Sequence, residues 1–382
     1  MLRYFTAGET HGKCLTAIIE GMPAGIRIDI ERINLALARR QKGYGRGGRM
    51  KIETDRAEIL SGVRGGYTLG SPIALKIENR DFANWESIMG SETATSEKSV
   101  ECPRPGHADL PGGMKYNHKD LRNVLERASA RETAARVAVG AIAAQVLEGF
   151  GVTFSSRVVR IGSVEDASKI LDADFYQRVA QSEVGFGDAS SEEKAIAYIN
   201  MIKEAGETCG GVVETVVSGL PIGLGSYAQY DRKLDARLAG AVMSIQAIKG
   251  VEIGIGFEAA ILPGSQVHDE ISYQDGKFTH LTNHAGGIEG GITNGEPVVV
   301  RAAMKPIPTL YTPLRTVSIA DKSEQKASVE RSDVCAVPAC SVVVEAVVAF
   351  EIANAFLEKF SGDCAEDITA SYRQYAERLS QY

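Results

Sequence analysis

The sequence predicts an α+β fold in one large domain, on three observations. Helical and strand-like patterns alternate irregularly along the 382 residues, and their turns are rich in glycine. No regular strand–helix–strand spacing appears, which disfavours a doubly wound parallel sheet. Length alone would allow two units, but no Pro/Gly/Ser-rich linker or abrupt change of composition divides the chain.

Residues 30–41 (IERINLALARRQ) set Ile33, Leu35, Leu37 and Ala38 among charges, the pattern of a short helix that ends before Gly43. A glycine-rich loop follows. Residues 50–63 and 71–79 cluster or alternate apolar and β-branched side chains like strands, and the polar stretch leading to PRPGHADLPGG reads as loop. From about Asp120 to Gly149 the pattern is helical and alanine-rich. Within it Ser129-Ala-Arg-Glu132 has the form of a capping box, so a helix should restart at Ala130. Residues 212–221 and 295–306 read as buried strands. Residues 339–360 (ACSVVVEAVVAFEIANAFLEKF) read as a core helix despite valines that lower helix propensity, and the last twenty as an amphipathic tail.

Composition narrows the class. Hydrophobic residues at 44%, charged residues at 24% and a single tryptophan fit a globular protein rather than a disordered or fibrous one. No apolar run approaches the roughly 20 residues that span a bilayer. The start MLRYFTAGETHG lacks the charged-then-apolar layout of a signal peptide, so a cytoplasmic protein with no membrane partner is expected. Six cysteines without a CxxC pair point to reduced thiols; even Cys335 and Cys340, close in sequence, read as small buried fillers. HExxH, GxSxG, the phosphate-loop GKS/T and clustered His/Cys ligands are all absent, so no metal is expected and hydrolase or kinase readings lack a motif.

The sharpest anomaly lies between Arg39 and Lys51. Arg39, Arg40, Lys42, Arg46, Arg49 and Lys51 occur there without one acidic residue, in a chain of net charge −7. Two unit charges 4 Å apart interact by about 4 kcal/mol at an effective dielectric near 20, so such a cluster calls for an anion. Phosphate and carboxylate suit the planar guanidinium fork. A solvated basic turn is the plain alternative, but Gly43, Gly45, Gly47 and Gly48 allow backbone amides to approach a ligand, at an entropy cost a surface turn seldom needs four times. GYGRGG even has G-x-G-x-x-G spacing, yet a helix precedes it where a dinucleotide fingerprint needs a strand.

His11 in GETHG and His107 in PRPGHAD sit in glycine-flanked polar loops, where an imidazole can reach a ligand and exchange protons near neutral pH. His118, His268, His280 and His284 are given no role. Arg127, Ser129 and Arg131 lie at the expected helix restart, where free amides favour an anion. MKPIPTL places Lys305 beside two prolines, and Arg331-Ser-Asp333 sets an acid near a base.

Taken together, GETHG, RRQKGYGRGGRM, PRPGHAD, ERASARETAARVAVGA, KGVEIGIGF, NHAGGIEGGITNGEPV, MKPIPTL and RSDVCAVPA, in this order along nearly the whole chain, resemble the chorismate synthase family. The resemblance implies 1,4-anti elimination of phosphate from 5-enolpyruvylshikimate 3-phosphate, with reduced FMN required though nothing is oxidised overall. It implies that His11 protonates the departing phosphate, that His107 holds or protonates the reduced flavin, and that Asp333 accepts a proton through the flavin N5. Arg40, Arg46, Arg49 and Arg131 would surround substrate phosphate and carboxylates, with reduced nicotinamide cofactor (NADPH) sharing Arg40 and Arg46. FMN contacts would come from Arg127, Ala128, Ser129, Gln246, Ala247, Gly290, Lys305, Pro306, Ile307, Pro308, Thr309 and Arg331. The implied fold is a layered β-α-β sandwich assembled as a homotetramer, with a separate flavin reductase as a further partner where the enzyme does not reduce its own flavin.

Two other readings compete. GYGRGGR resembles arginine–glycine segments that bind RNA, but a pI near 5.6 and a single basic loop weigh against nucleic acid. A flavin reductase would need the FMN contacts but neither His11 nor the full set of arginines.

Overall fold

Alternation of buried and exposed side chains shapes the first sheet. The computed structural model describes residues 1–48, 53–168, 172–274 and 276–382. In it β1 (Arg3–Ala7), β2 (Cys14–Glu20), β3 (Ala57–Ile59) and β4 (Ile73–Glu78) pair antiparallel in the order β1-β2-β4-β3. Leu15, Ala17 and Ile19 with Ile73, Leu75 and Ile77 are buried on one face, whereas Phe5 and Ile18, paired across β1 and β2, are exposed on the other. Period-two patterning requires this. The second sheet runs β8-β9-β7-β5-β6, again antiparallel, from β5 (Thr153–Ile161), β6 (Val164–Glu165), β7 (Gly211–Ser218), β8 (Ile248–Ile253) and β9 (Val298–Met304).

The main helices are α1 (Ile30–Gln41), α2 (Asp109–Tyr116), α3 (Arg122–Ala128), α4 (Thr133–Glu148), α5 (Leu234–Met243), α6 (Val337–Lys359) and α7 (Ala365–Ser380). α4 packs on β1 and β2 and against α1 and α6, while α6 packs on β5 and β7. α1, α4 and α6 therefore form the middle layer of a β-α-β sandwich, and one continuous cluster of buried side chains runs through all three layers. A middle-layer helix meets apolar partners on every side, and that burial outweighs the low propensity of its valines. Contrary to expectation, α6 is long and apolar enough to cross a bilayer, but 89% of its apolar window is buried, as the core-helix reading of 339–360 requires. At the crossing of α4 and α6 a Cβ on Gly140 would stand 2.2 Å from the Ala346 carbonyl oxygen, so the two backbones touch and only glycine fits.

Several expected elements appear close to their bounds: α1, the strands β7 and β9, α6, and the tail helix α7. The strand reading of 50–63 shrinks to β3 and a short hairpin, Val63–Arg64 with Tyr67–Thr68; residues 50–52 fall outside the described ones. The polar stretch is not all loop, since it holds the turns Arg80–Asn84 and Glu86–Met89. The capping box forms only in part. Ser129 Oγ accepts from Arg131 N at 3.4 Å, but Glu132 turns away to Thr6, Arg136 and Gln246, residues 130–132 form a single 3-10 turn, and α4 starts at Thr133. An ion pair with Arg136 and the Thr6 hydroxyl outcompete the Ser129 amide for that carboxylate. All six cysteines are free.

Candidate active site

Loops from one end of the sandwich, together with the start of α6, enclose a cavity of about 1030 Å³. Pockets for small molecules run to roughly 300–1,000 Å³, so this one lies at the upper end of that range. Eight Lys or Arg side chains line it against two carboxylates, Glu330 and Asp333, in a chain of net charge −7. Apolar patches from Ile245, Met304, Ile307 and Val329 lie between the charges.

The arginines come from separate segments of the chain. Helical geometry sets neighbours about 100° apart, so Arg39 pairs outside the cavity with Glu345 at 2.7 Å while Arg40 points inward. Arg40 donates to Thr133 Oγ1 (3.0 Å) and the Ala130 carbonyl (2.9 Å), and stands 3.6 Å from Asp55. Asp55 is taken more tightly by Arg131, whose Nη1 reaches both carboxylate oxygens at 2.7 Å while Nε donates to Asn79. Burial pushes the Arg40 guanidinium down to about 9, with Asp55 opposing and Arg131 and Arg46 adding repulsion. The sequence-level demand for an outside anion is thus met partly from within, by Asp55 and Asp333. It is not met fully. Arg40 Nη1 and Arg131 Nη2 are buried without a hydrogen-bond partner among the described residues, an arrangement that costs free energy unless an anion arrives. Arg49 lies outside the described residues.

Asp333 closes the glycine-rich loop. Its Oδ1 accepts from Gly47 N at 2.6 Å, its Oδ2 is 3.2 Å from Arg46, and Val334 N donates to the Gly45 carbonyl at 2.9 Å. A Cβ at Gly47 would stand 2.8 Å from the Ser332 carbonyl oxygen, which explains one of the four glycines.

Each loop histidine is held at Nδ1 by a carboxylate. His11 Nδ1 lies 2.8 Å from Glu126 Oε1, and the His11 amide donates to Oε2 at 2.7 Å. Its ring stacks on Trp85, with centroids 3.8 Å apart and planes 16° apart. His107 Nδ1 lies 2.6 Å from Asp109 Oδ1, and Arg104 clamps the same carboxylate through Nε at 2.9 Å and reaches Thr309 Oγ1 at 2.9 Å. Burial works to raise both carboxyls, but the histidine and arginine contacts outweigh it and hold Asp109 far below, and Glu126 below, the usual carboxylate range.

Of the residues singled out by sequence, His11, His107, Asp333, Arg40, Arg46, Arg131, Ala128, Ser129, Gln246, Ala247, Lys305, Ile307, Pro308, Thr309 and Arg331 line this one cavity. Pro306 does not line it. Gly290 lies at the turn between the short strands Ile288–Glu289 and Ile292–Thr293. Arg127 is exposed, bonds to Thr6 and the Gly8 carbonyl, and borders a smaller neighbouring cavity with Phe5 and Arg136. Ala247 carries a positive φ of 69°, strain that clusters at ligand sites, and its carbonyl accepts from Lys305 N at 2.9 Å. Burial, and then Lys249, hold the Lys305 ammonium below its usual value. Sequence reasoning missed Trp85, Lys98, Arg104, Asp109, Arg122 and Glu126. For Arg104 and Asp109 the signal was present, within the PRPGHAD segment itself.

A family model described as chorismate synthase matches residues 2–357. The chain is 58% identical over 393 aligned residues to the chorismate synthase of Geobacter metallireducens, and 58% identical over 386 to that of Desulforamulus reducens, each alignment covering 100% of both chains. A crystal structure of a chorismate synthase superposes with a TM-score of 0.81 at 46% identity, covering 100% of this chain and 99% of that one. A cavity that gathers arginines from separate segments around two carboxylate-held histidines agrees with these full-length matches: the chain belongs to the chorismate synthase family.

Proposed function

We propose that the cavity binds 5-enolpyruvylshikimate 3-phosphate beside a reduced flavin mononucleotide and eliminates phosphate to give chorismate, the reaction of its family, within the shikimate pathway. The observation that carries this reading is the pair of buried guanidinium nitrogens, Arg40 Nη1 and Arg131 Nη2, left without a hydrogen-bond partner among the described residues in a positively charged cavity. The substrate bears a phosphate and two carboxylates, which such donors bind as charge-assisted pairs.

The residues present also fit a flavin. Ile307 and Val329 offer apolar surface for a flat ring, and Gln246 Oε1 is a buried acceptor without a partner among the described residues. Ala128, Ser129, Gln246, Ala247, Lys305 to Thr309 and Arg331 would hold it. When bound, reduced FMN supplies electron density to the breaking C–O bond.

Arg40, Arg46, Arg49 and Arg131 orient the substrate's anions. His11, whose Nδ1 is taken by Glu126, is left with Nε2 to protonate the departing phosphate, and His107 steadies the reduced flavin's charge. Asp333 is the acceptor for the proton lost from substrate, its carboxylate held in place by Arg46 and the Gly47 amide. We further propose a homotetramer, supported by the exposed apolar residues Phe5 and Ile18 on the outer face of the first sheet, and a cytoplasmic location. Electrons for the flavin come either from NADPH at Arg40 and Arg46 or from a separate flavin reductase.

Phosphate release under anaerobic conditions, with photoreduced FMN, oxidised FMN and no flavin compared, tests the reading. Release with reduced FMN alone is expected; no release from folded, flavin-bound protein sinks it. Release driven by NADPH and oxidised FMN, without a reductase, separates the two electron sources. His11→Ala should keep FMN binding and lower turnover about 10²-fold or more.

A further inference from the structure

Trp85, the only tryptophan of the chain, is buried with His11 stacked 3.8 Å from its ring and the Lys98 ammonium 3.6 Å over its ring centroid. Two groups at these heights cannot share one face of an indole, so His11 and Lys98 lie on opposite faces. The negative π-face of indole favours a cation on either side. On its edge the His11 ring meets Glu126, and the backbone amide of the same residue meets the second oxygen of that carboxylate, which fixes both the position of the loop and the rotation of the ring. Glu126 is almost wholly buried and is braced by Arg122, 3.4 Å away, which places its other amino group on Glu330 at 2.9 Å.

We propose that Glu126 and Trp85 are positioning residues that fix the His11 ring with Nε2 toward the cavity, with the Glu126 carboxylate on its edge and the Lys98 ammonium across the indole as the charges that act on it. This rests on the reading of His11 as the acid that meets the departing phosphate. The charged groups facing the ring are Glu126 and Arg122 from α3, Lys98 from the polar stretch, and Glu330, acting through Arg122. The arrangement presents an acid whose orientation is set before substrate binds, the condition under which proton transfer needs no search through ring rotations.

The lone tryptophan provides the test, because an imidazolium stacked on indole quenches its fluorescence more than a neutral imidazole does. In flavin-free full-length protein, Trp85 emission should rise with pH through a single midpoint, and His11→Gln should abolish that midpoint. Glu126→Gln should move it down by about one pH unit or more, as removal of a contacting opposite charge does, and Glu126→Asp should restore part of the shift. Lys98→Met, at an exposed side chain, should move it up by a few tenths of a unit, and it carries the test if Glu126→Gln fails to fold. A purely structural role would lower stability and leave the midpoints in place. Midpoints unchanged in Glu126→Gln or Lys98→Met, or a midpoint that survives His11→Gln, overturn the inference. The alkaline limb of phosphate release with reduced FMN should move with the fluorescence midpoints. If the midpoints move as stated and that limb does not, the positioning role stands and the acid role of His11 falls.

Discussion

The two histidines of the cavity are held by units of the same composition, a carboxylate at Nδ1 and an arginine behind it, but assembled in opposite ways. Arg104, His107 and Asp109 lie within six residues, so one turn of chain delivers the whole unit, and Asp109 is fully buried with Arg104 clamped on it. His11 and Glu126 are 115 residues apart and meet only when the loop after β1 docks on α3. Arg122, at 3.4 Å, holds Glu126 more loosely and divides its charge with Glu330. A unit encoded locally carries its geometry with it. A unit encoded at a distance makes the placement of His11, the acid we propose, a product of correct folding, and ties the first sheet to the helix that lines the cavity.

The contrast is broken most directly by deleting the carboxylates. Asp109→Ala strands the buried Arg104 guanidinium and should cost about 3–5 kcal/mol of stability. Glu126→Ala should cost less, about 1–3 kcal/mol, because Arg122 keeps Glu330. Urea unfolding with unchanged slope measures both, and the reverse order would overturn the claim that the local unit is the tighter one.

Acid sharpens the comparison. Both carboxyls are lowered on folding, so each stabilises the fold above its unfolded value, 3.8 for Asp109 and 4.5 for Glu126, and that stabilisation is lost as pH falls through the folded value. Urea midpoints should therefore decline below about pH 4.5, through Glu126 first and Asp109 later. Asp109→Asn should flatten the lower part of this limb; an unaltered limb would show that Asp109 does not titrate there. The smallest effect is expected from Thr309→Val, which removes one acceptor from Arg104 while Asp109 remains, at about 1 kcal/mol in the same assay.

The same distinction explains what could be read from the sequence. α1 was legible to its ends because its apolar positions follow the helical period and Asp29 caps it, its side chain accepting from Glu31 N at 2.9 Å. The surroundings of His107 were open to reading, since its partners are two and three residues away, but the sequence reading passed over Arg104 and Asp109. Trp85, Lys98 and Glu126 were not, since what makes each of them matter lies on another segment and the polar stretch around Trp85 has no period to read. The basic segment was seen as one cluster, although successive helical residues diverge, and Arg39 leaves for Glu345 while Arg40 enters the cavity. Its inner carboxylate, Asp55, follows the segment by a few residues, but only the fold brings Arg131 to it.

The contact at Gly140 bears on how this enzyme can move. Where two helices touch through backbone rather than side chains, there is no layer of rotamers to give way, and the joint is stiff against sliding and against rolling. α4 begins just beyond Arg131, and the first turns of α6 line the cavity. The floor of the site is thus an unyielding plate, and the compliance needed to admit and release ligands must reside in the loops above it.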